Sequence, residues 1–498
     1  MYAPVPSILA ESSKASVRSR IPPIPLKDAK FTLDASGVAG FFGGDEAVSA
    51  MATVHVYQGR KWLGWYNSPG AYEISKRYGQ LANSRFWDGL YPGPNTDPAT
   101  LFELNGLKGP PFRSFLSGTV LPDSGHLGAL LMAECEELKS VEIPGRQTNG
   151  PKQLISVVNL HHVPENEMNP SLLKKHTQLY ASFPILVSVA ACVLSGLFQD
   201  WWCFAMILLG ILSSGWACWV IGSGRLTFIH PKPAPDCPPG NGILKGRTGI
   251  IVLKGEEGAV NSVTRGRFLL QFSSEPEYRN IGIASLFLTV QFVAQLLLIP
   301  QGTLFGQIMF VASLAVSWGY NSWLSSLDKE SIQREILMKK ILDEPEIRSY
   351  SITTRTTMAV LVCLFLLDFD PREASLETER ISQVDTLASE IEKKRNLPAW
   401  QDGPETEKPQ RISSKDAQKI LEDLIPNDTE VWRRFRRGIA DQIAEGRARF
   451  ELPERDSQDL VENDGKLLRT LWGDAEAARV GYAEHATDQT QSAERLSV

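Results

Sequence analysis

Four runs of about twenty residues without Asp, Glu, Lys, Arg or His, arranged as two adjacent pairs, constrain this chain more than any other feature. The first pair is LYASFPILVSVAACVLSGLF (179–198) and WWCFAMILLGILSSGWACWVIG (201–222), separated only by Gln199-Asp200. The second is IGIASLFLTVQFVAQLLLIP (281–300) and TLFGQIMFVASLAVSWGYNSW (303–323), separated by Gln301-Gly302. A hydrocarbon core of about 30 Å takes ~20 helical residues to cross. Each run has that length, and those of the first pair carry Trp or Tyr near an end, where amphipathic rings favour the interface. A soluble core would need four such helices in succession. The runs are therefore read as four transmembrane spans in two tight antiparallel hairpins, 179–222 and 281–324.

The mean hydropathy, -0.14, hides this block because charge is concentrated elsewhere. Residues 371–498 carry 20 Lys+Arg and 27 Asp+Glu, leaving 31 and 30 for the rest of the chain. No segment has the positive excess of a nucleic-acid binder. The six cysteines (Cys135, Cys192, Cys203, Cys218, Cys237 and Cys363) have no paired spacing, so neither a disulfide framework nor a zinc site is expected.

Orientation follows from the loops. The turns at Gln199-Asp200 and 300–302 carry no Lys or Arg, whereas 223–280 carries eight, Lys174 and Lys175 precede the first span, and Lys329, Arg334, Lys339 and Lys340 follow the fourth. Cytoplasmic flanks are enriched in these residues. The amino terminus, the 223–280 loop and the segment after Trp323 are thus expected in the cytosol. MYAPVPSILAESSKASVRSR has no n-region and apolar h-region, so the first span is expected to double as an uncleaved insertion signal.

The expected fold class is an α-helical transmembrane bundle with a cytosolic α+β N-terminal region, a small β-rich loop and a helical C-terminal tail. Residues 1–50, with Pro22, Pro23, Pro25 and the pair Gly43-Gly44, read as a flexible arm. Residues 51–178 read as a soluble α+β region: MATVHVY (51–57) alternates like a strand, 71–82 and 125–138 like helices, and 153–163 like a strand. Within 223–280, short β-branched and aromatic runs between glycines suggest a small sheet on the membrane surface. Residues 325–345 form an amphipathic helix with Ile332, Ile336, Leu337 and Ile341 on one face.

MAVLVCLFLL (358–367) has only ten uninterrupted apolar residues, with Arg355 before it and Asp368 after. Such a length suits a buried or re-entrant segment better than a span, so 350–369 is left open as a fifth span or re-entrant segment. The tail, 370–498, is expected to hold helices over 376–396, 414–424, 429–447 and 460–482, with a linker at 400–410. Trp432, Phe435, Ile439 and Ile443 form one apolar stripe flanked by Arg433, Arg434, Arg436 and Arg437, read as docking on its own domain rather than on lipid.

Motifs that could carry chemistry do not assemble. Asp123-Ser124-Gly125 matches the short aspartic-protease signature, but that chemistry needs a second carboxylate and no second copy exists; a turn before a helix explains it. His161-His162 are neighbours on a strand and point to opposite faces. Cys135 lies among Glu134, Glu136 and Glu137, which should raise its pKa. Gly222-Ser223-Gly224 and Gly240-Asn241-Gly242 lack the lysine and helix of a phosphate loop. No catalytic, cofactor-binding or metal site is therefore expected. The spans' polar residues are Gln291, Gln295, Gln307, Ser188, Ser195, Ser213, Ser214, Ser313 and Ser317. Gln291 and Gln295 are expected to bond across to Gln307, and Gly210, Ser214 and Cys218 to permit close helix contact, as packing rather than a pore.

Several stretches, SPGAYEISKRYGQLANSRFWDGLYPGPNT (68–96), LPDSGHLGALLMAE (121–134), KGEEGAVNSVTRGRF (254–268), LLLIPQGTLFGQIMFVASLA (296–315) and LIPNDTEVW (424–432) among them, resemble uncharacterised multi-pass membrane proteins of mushroom-forming fungi. The resemblance implies the membrane architecture and a fungal source, and no activity or ligand. The expected function is that of a non-enzymatic integral membrane protein acting through protein or lipid contacts, its partners being the lipid bilayer and proteins yet to be identified. The alternatives are a reticulon-like membrane-shaping protein and a channel or carrier of neutral solutes.

Overall fold

The structure, a computed structural model, describes residues 25–26, 42–82, 84–93, 96–170, 176–273, 275, 278–369, 413–457 and 460–496. Most of the expected arm over 1–50, the expected helix 376–396 and the linker 400–410 lie outside the described residues. In chain order the longer helices begin with α1 Gly44–Ala52, α2 Ala71–Leu81, α3 Arg85–Leu90, α4 Gly125–Glu137, α5 Ser182–Leu197, α6 Trp201–Ile221 and α7 Glu257–Thr264. They continue with α8 Arg279–Leu298, α9 Leu304–Ser325, α10 Lys329–Ile336, α11 Arg355–Leu366, α12 Ser414–Leu424, α13 Glu430–Ala444 and α14 Glu462–Leu496. The strands are β1 Phe112–Ser114, β2 Val120–Leu121, β3 Val141–Glu142, β4 Gln153–Leu160, β5 Arg225–Ile229, β6 Gly242–Lys245, β7 Gly249–Gly255, β8 Arg267–Gln271 and β9 Glu346–Ile352.

The chain forms two compact units, each assembled from three separated stretches. Unit 1 takes residues 1–106, 167–229 and 268–340; unit 2 takes 107–166, 230–267 and 341–498. The region expected as one α+β body over 51–178 is thereby divided between them.

In unit 1, α5 and α6 pack on each other as the first expected hairpin, whereas α8 and α9, joined through the turn at 299–303, do not form the tight pair expected: α8 packs on α6 and α2, and α9 on α5 and α1. Three segments, Leu179–Leu197, Trp201–Ile221 and Arg279–Gln301, are both long and apolar enough to cross a membrane. The fourth helix, α9, has 22 residues but is less apolar, because it buries Gln307, Ser313, Ser317, Tyr320 and Asn321. Cys192, Met206, Ile207, Phe310 and Leu314 meet in the bundle core. MATVHVY is not a strand: α1 runs through it to Ala52 and a 3-10 turn takes Thr53–His55. Every residue from Ala50 to Tyr57 is buried, so the apparent alternation marks no solvent face. The helix expected at 71–82 is α2, which packs on α8. There Ser285 Oγ donates to Ser75 O (2.6 Å), and Gly79 leaves room for the Tyr91 ring, which a Cβ there would approach to 2.4 Å, and for Ser285 Oγ at 3.2 Å.

The tips of the two hairpins are tied by one carboxylate. Asp200 is buried and caps α6, accepting from Cys203 N (3.0 Å). Its other oxygen accepts from Thr303 N (2.7 Å) and Thr303 Oγ1 (2.7 Å), and Thr303 in turn caps α9. Gly306 is needed for this approach, since a Cβ there would lie 2.0 Å from Asp200 Oδ2.

Unit 2 is built on a seven-stranded mixed sheet of order β2-β1-β6-β7-β4-β9-β3. β4 runs parallel to β7 and antiparallel to β9. The strands expected within 223–280 exist, but β6 and β7 enter this larger sheet, while β5 and β8 pair by themselves in unit 1. Alternation along β4 sends Ile155 and Val157 toward the core that holds α11, whereas Ser156 lies on the other face and bonds Ser349 on β9 (2.8 Å).

The segment 350–369, left open as a fifth span or re-entrant segment, is enclosed by protein within unit 2. It comprises the end of β9 and the twelve-residue helix α11, whose residues from Thr356 to Leu366 are all buried. A helix that is apolar all round belongs at the centre of a core, and here the cover comes from the tail. Ile420 and Leu421 of α12, Phe435, Ile439 and Ile443 of α13, and Leu471 and Trp472 of α14 share its cluster. Arg355, which a span would place in hydrocarbon, donates its Nε–H to Leu424 O at the end of α12 (3.1 Å). The described tail helices α12, α13 and α14 thus turn apolar faces to a common partner. The stripe Phe435, Ile439 and Ile443 docks inside unit 2, and Arg436 donates to Ile425 O (2.8 Å). Asp474 is held by two hydrogen bonds from Arg146 (3.2 and 3.0 Å).

A candidate polar seam inside the apolar helices

The residues singled out from sequence do not converge. Asp123 is an exposed turn residue whose Oδ1 accepts from Gly109 N (2.8 Å) and Gly125 N (2.7 Å), ahead of α4. His161 and His162 are exposed just beyond β4. Cys135 is buried, and burial, more than the neighbouring glutamates, pushes its thiol up to about 12. Gly240-Asn241-Gly242 is structural: Asn241 Oδ1 accepts from Gly255 N (3.0 Å). Among the described residues no group of three or more His, Cys, Asp or Glu is placed to hold a metal ion.

What the structure does assemble is a line of buried polar side chains through unit 1, organised by the loop 64–70 (GWYNSPG). The small residues Gly210, Ser214 and Cys218 of α6 receive this loop, and Gly210 also admits α8, a Cβ there lying 3.3 Å from Gln295 Nε2. A Cβ on Gly64 would lie 2.3 Å from Cys218 Cβ, one on Gly215 2.2 Å from the Trp65 ring, and one on Gly210 2.0 Å from Asn67 Oδ1. Asn67 N donates to Ser188 Oγ on α5 (3.1 Å) and its Nδ2 to Ser313 Oγ on α9 (2.9 Å). Tyr66 stands edge-on to Tyr320, with centroids 5.8 Å apart, and donates to Asn321 Oδ1 (2.8 Å). Asn321 Nδ2 donates to Ser68 Oγ (3.1 Å). Gly70 turns the chain out with φ 75°, its position packed on Gly44.

Arg60 closes one end. It is buried, donating to Leu63 O (3.0 Å) and Tyr66 OH (3.3 Å), with its guanidinium carbon 5.4 Å from the centre of the Tyr320 ring. A carbonyl, a phenol and a π-face surround this cation where a carboxylate would be usual. At the other end Gln291 donates to Gln295 Oε1 (3.4 Å) and Gln295 to Met206 O (3.3 Å). Gln307 does not join them as expected; it donates to Ile299 O (3.3 Å) and Gly302 O (3.2 Å), bracing the turn between α8 and α9. Sequence reading missed Asn67, whose partners lie on helices more than a hundred positions away, and Arg60, whose bonds are local but whose ring partner Tyr320 is as distant. The one local signal was a Trp-Tyr-Asn run enclosed by glycines.

His55 lies outside the seam, buried beside Phe102 (5.1 Å between centroids) and Phe272 (6.4 Å). Burial pulls its imidazole down to about 4, opposed by a weaker backbone contact at Gly224. Because the folded pKa is depressed, the unfolded chain takes the proton first as pH falls. The stability this neutral ring contributes is complete above about pH 6.5 and is lost between there and about pH 4, at a cost of about 3 kcal/mol. His55→Phe is therefore expected to flatten the acid limb of thermal stability of the purified protein over that window. An unchanged acid limb contradicts the assignment.

No protein-family model matches this chain, and neither a curated protein nor a solved structure is similar to it.

Proposed function

We propose that the chain is an integral membrane protein crossing the bilayer four times as two hairpins, with unit 2 in the cytosol, and that it works through protein or lipid contacts rather than catalysis. The carrying observation is that the long apolar helices of unit 1 bury their amides and hydroxyls among core residues and turn large apolar side chains outward. Along α8, Leu286, Phe287, Val290, Val293 and Leu297 are exposed, the last by 65%, while Gln291 and Gln295 are 0% exposed. On α5, Phe183, Leu186, Val193 and Leu197 are exposed while Ser188 and Ser195 are buried. Water would penalise contiguous apolar surface on this scale; lipid favours it. Trp201 and Trp202 at one end of the hairpins and Tyr180 and Trp219 at the other are exposed where interfacial rings belong.

The number four rests on parity. Unit 2 gathers residues 107–166, 230–267 and 341–498 into one compact body, which supports putting all three on the same side of the membrane. Between consecutive stretches the chain must then cross an even number of times. If α6 spans, α5 does too; if α8 spans, the less apolar α9 returns. Helices of ~24–33 Å with a polar interior favour full spanning over the shallow wedges of reticulon-like proteins. The Lys and Arg of the 223–280 loop support a cytosolic unit 2, and the resemblance to multi-pass fungal proteins fits the same architecture.

Asn427-Asp428-Thr429 is the sequon that reports on this placement. It is expected to stay unmodified in a eukaryotic host. A glycosidase-sensitive mobility shift that disappears in Asn427→Gln would put the tail in the lumen and sink the reading.

A further inference from the structure

We propose that the seam of unit 1 binds small uncharged hydrogen-bonding molecules, water being the smallest, and passes them along the bundle while refusing cations. This rests on the membrane reading above. The first observation is a set of unmet polar atoms. Asn67 Oδ1, Gln291 Oε1, Ser214 Oγ, Ser317 Oγ and Tyr320 OH have no hydrogen-bond partner, and none of these residues is more than 7% exposed. Native interiors seldom leave such groups unmet, and small polar guests usually satisfy them. Two of the five are amide oxygens, which call for a donor; the hydroxyls accept or donate. That is the pattern of water, a polyol or an amide.

The second observation is length. Along α6 the seam extends from Cys218, which donates to Arg60 O (3.8 Å), to Met206, whose carbonyl Gln295 holds. Twelve helical residues separate them, about 18 Å or more than half the hydrocarbon thickness. The third is charge. Among the described residues, the side chains named along the seam include no carboxylate, and its one ion is the buried Arg60. A fixed positive charge beside neutral acceptors bars cations and protons, while the amide oxygens disfavour anions.

The test uses the full chain reconstituted into liposomes, with insertion verified by co-flotation and resistance to alkaline carbonate. Osmotic shrinkage and glycerol re-entry are followed by stopped-flow light scattering, and Na⁺ and K⁺ flux by entrapped dyes. Wild-type vesicles should exchange water or glycerol several-fold faster than protein-free ones, with cation flux at the protein-free level. Gln291→Leu, and independently Ser317→Ala, should reduce the exchange at equal incorporation. Verified insertion with exchange at the protein-free rate overturns the inference and leaves the membrane reading standing. Failure to co-float removes both. Equal exchange in wild type and both variants, or an accompanying cation leak, overturns the assignment to this seam.

Discussion

Leu361→Asp is expected to unfold unit 2. Leu361 is 0% exposed at the middle of α11, between the sheet and the three tail helices. The substitution removes a buried isobutyl group and places a carboxylate where no cationic partner can follow. Core truncation of leucine alone costs about 3–5 kcal/mol, and an unpaired buried charge adds several more before it is neutralised by protonation. Together these match the whole net stability of an ordinary domain. Limited proteolysis of the full chain should then cleave within 413–496 at protease levels that leave the wild type intact. A wild-type digestion pattern would show that α11 is not the core of unit 2.

Asp200→Ala is expected to loosen the hairpin tips of unit 1. It strands the donors of Cys203 N, Thr303 N and Thr303 Oγ1 together, in a position only 2% exposed. Hydrogen bonds to a charged acceptor contribute about 1.5–3 kcal/mol each and are not additive. A loss on the order of 3 kcal/mol or more is expected, read as a lowered Tm in detergent. Asp200→Asn keeps one acceptor and should fall between the two; Thr303→Ala should cost less than Asp200→Ala. Equal Tm values for wild type and Asp200→Ala would remove the latch.

The long helices were legible in the sequence because length and missing charge are one-dimensional properties, and so were the amphipathic helices of the tail. What covers an apolar run is not. The residues 358–367 look alike whether lipid or protein surrounds them, and the cover arrives from helices beginning about fifty positions later. MATVHVY misleads because alternation signals a strand only when one face meets solvent, and here both faces are buried. The seam was half visible. The glutamines and serines of the spans stood out, but Arg60 and Asn67 acquire their meaning only when the loop 64–70 enters a groove of small residues on α6. Gln307 was misassigned because a side chain one turn into a helix can brace the turn before it instead of reaching the neighbouring helix.

Side-specific labelling tests the two-hairpin arrangement most directly. In a background with Cys237→Ser, whose five remaining cysteines are buried, one cysteine at a time replaces the exposed residues Lys108, Glu256 and Glu454 of unit 2 and Gln199 and Gln301 at the hairpin tips. Sealed membrane vesicles are treated with a membrane-impermeant maleimide before and after permeabilisation. Lys108→Cys, Glu256→Cys and Glu454→Cys should react as one class, and Gln199→Cys and Gln301→Cys as the opposite class. Reaction of Glu454→Cys with the hairpin tips, or of all five from one side, would contradict four crossings with unit 2 on a single face.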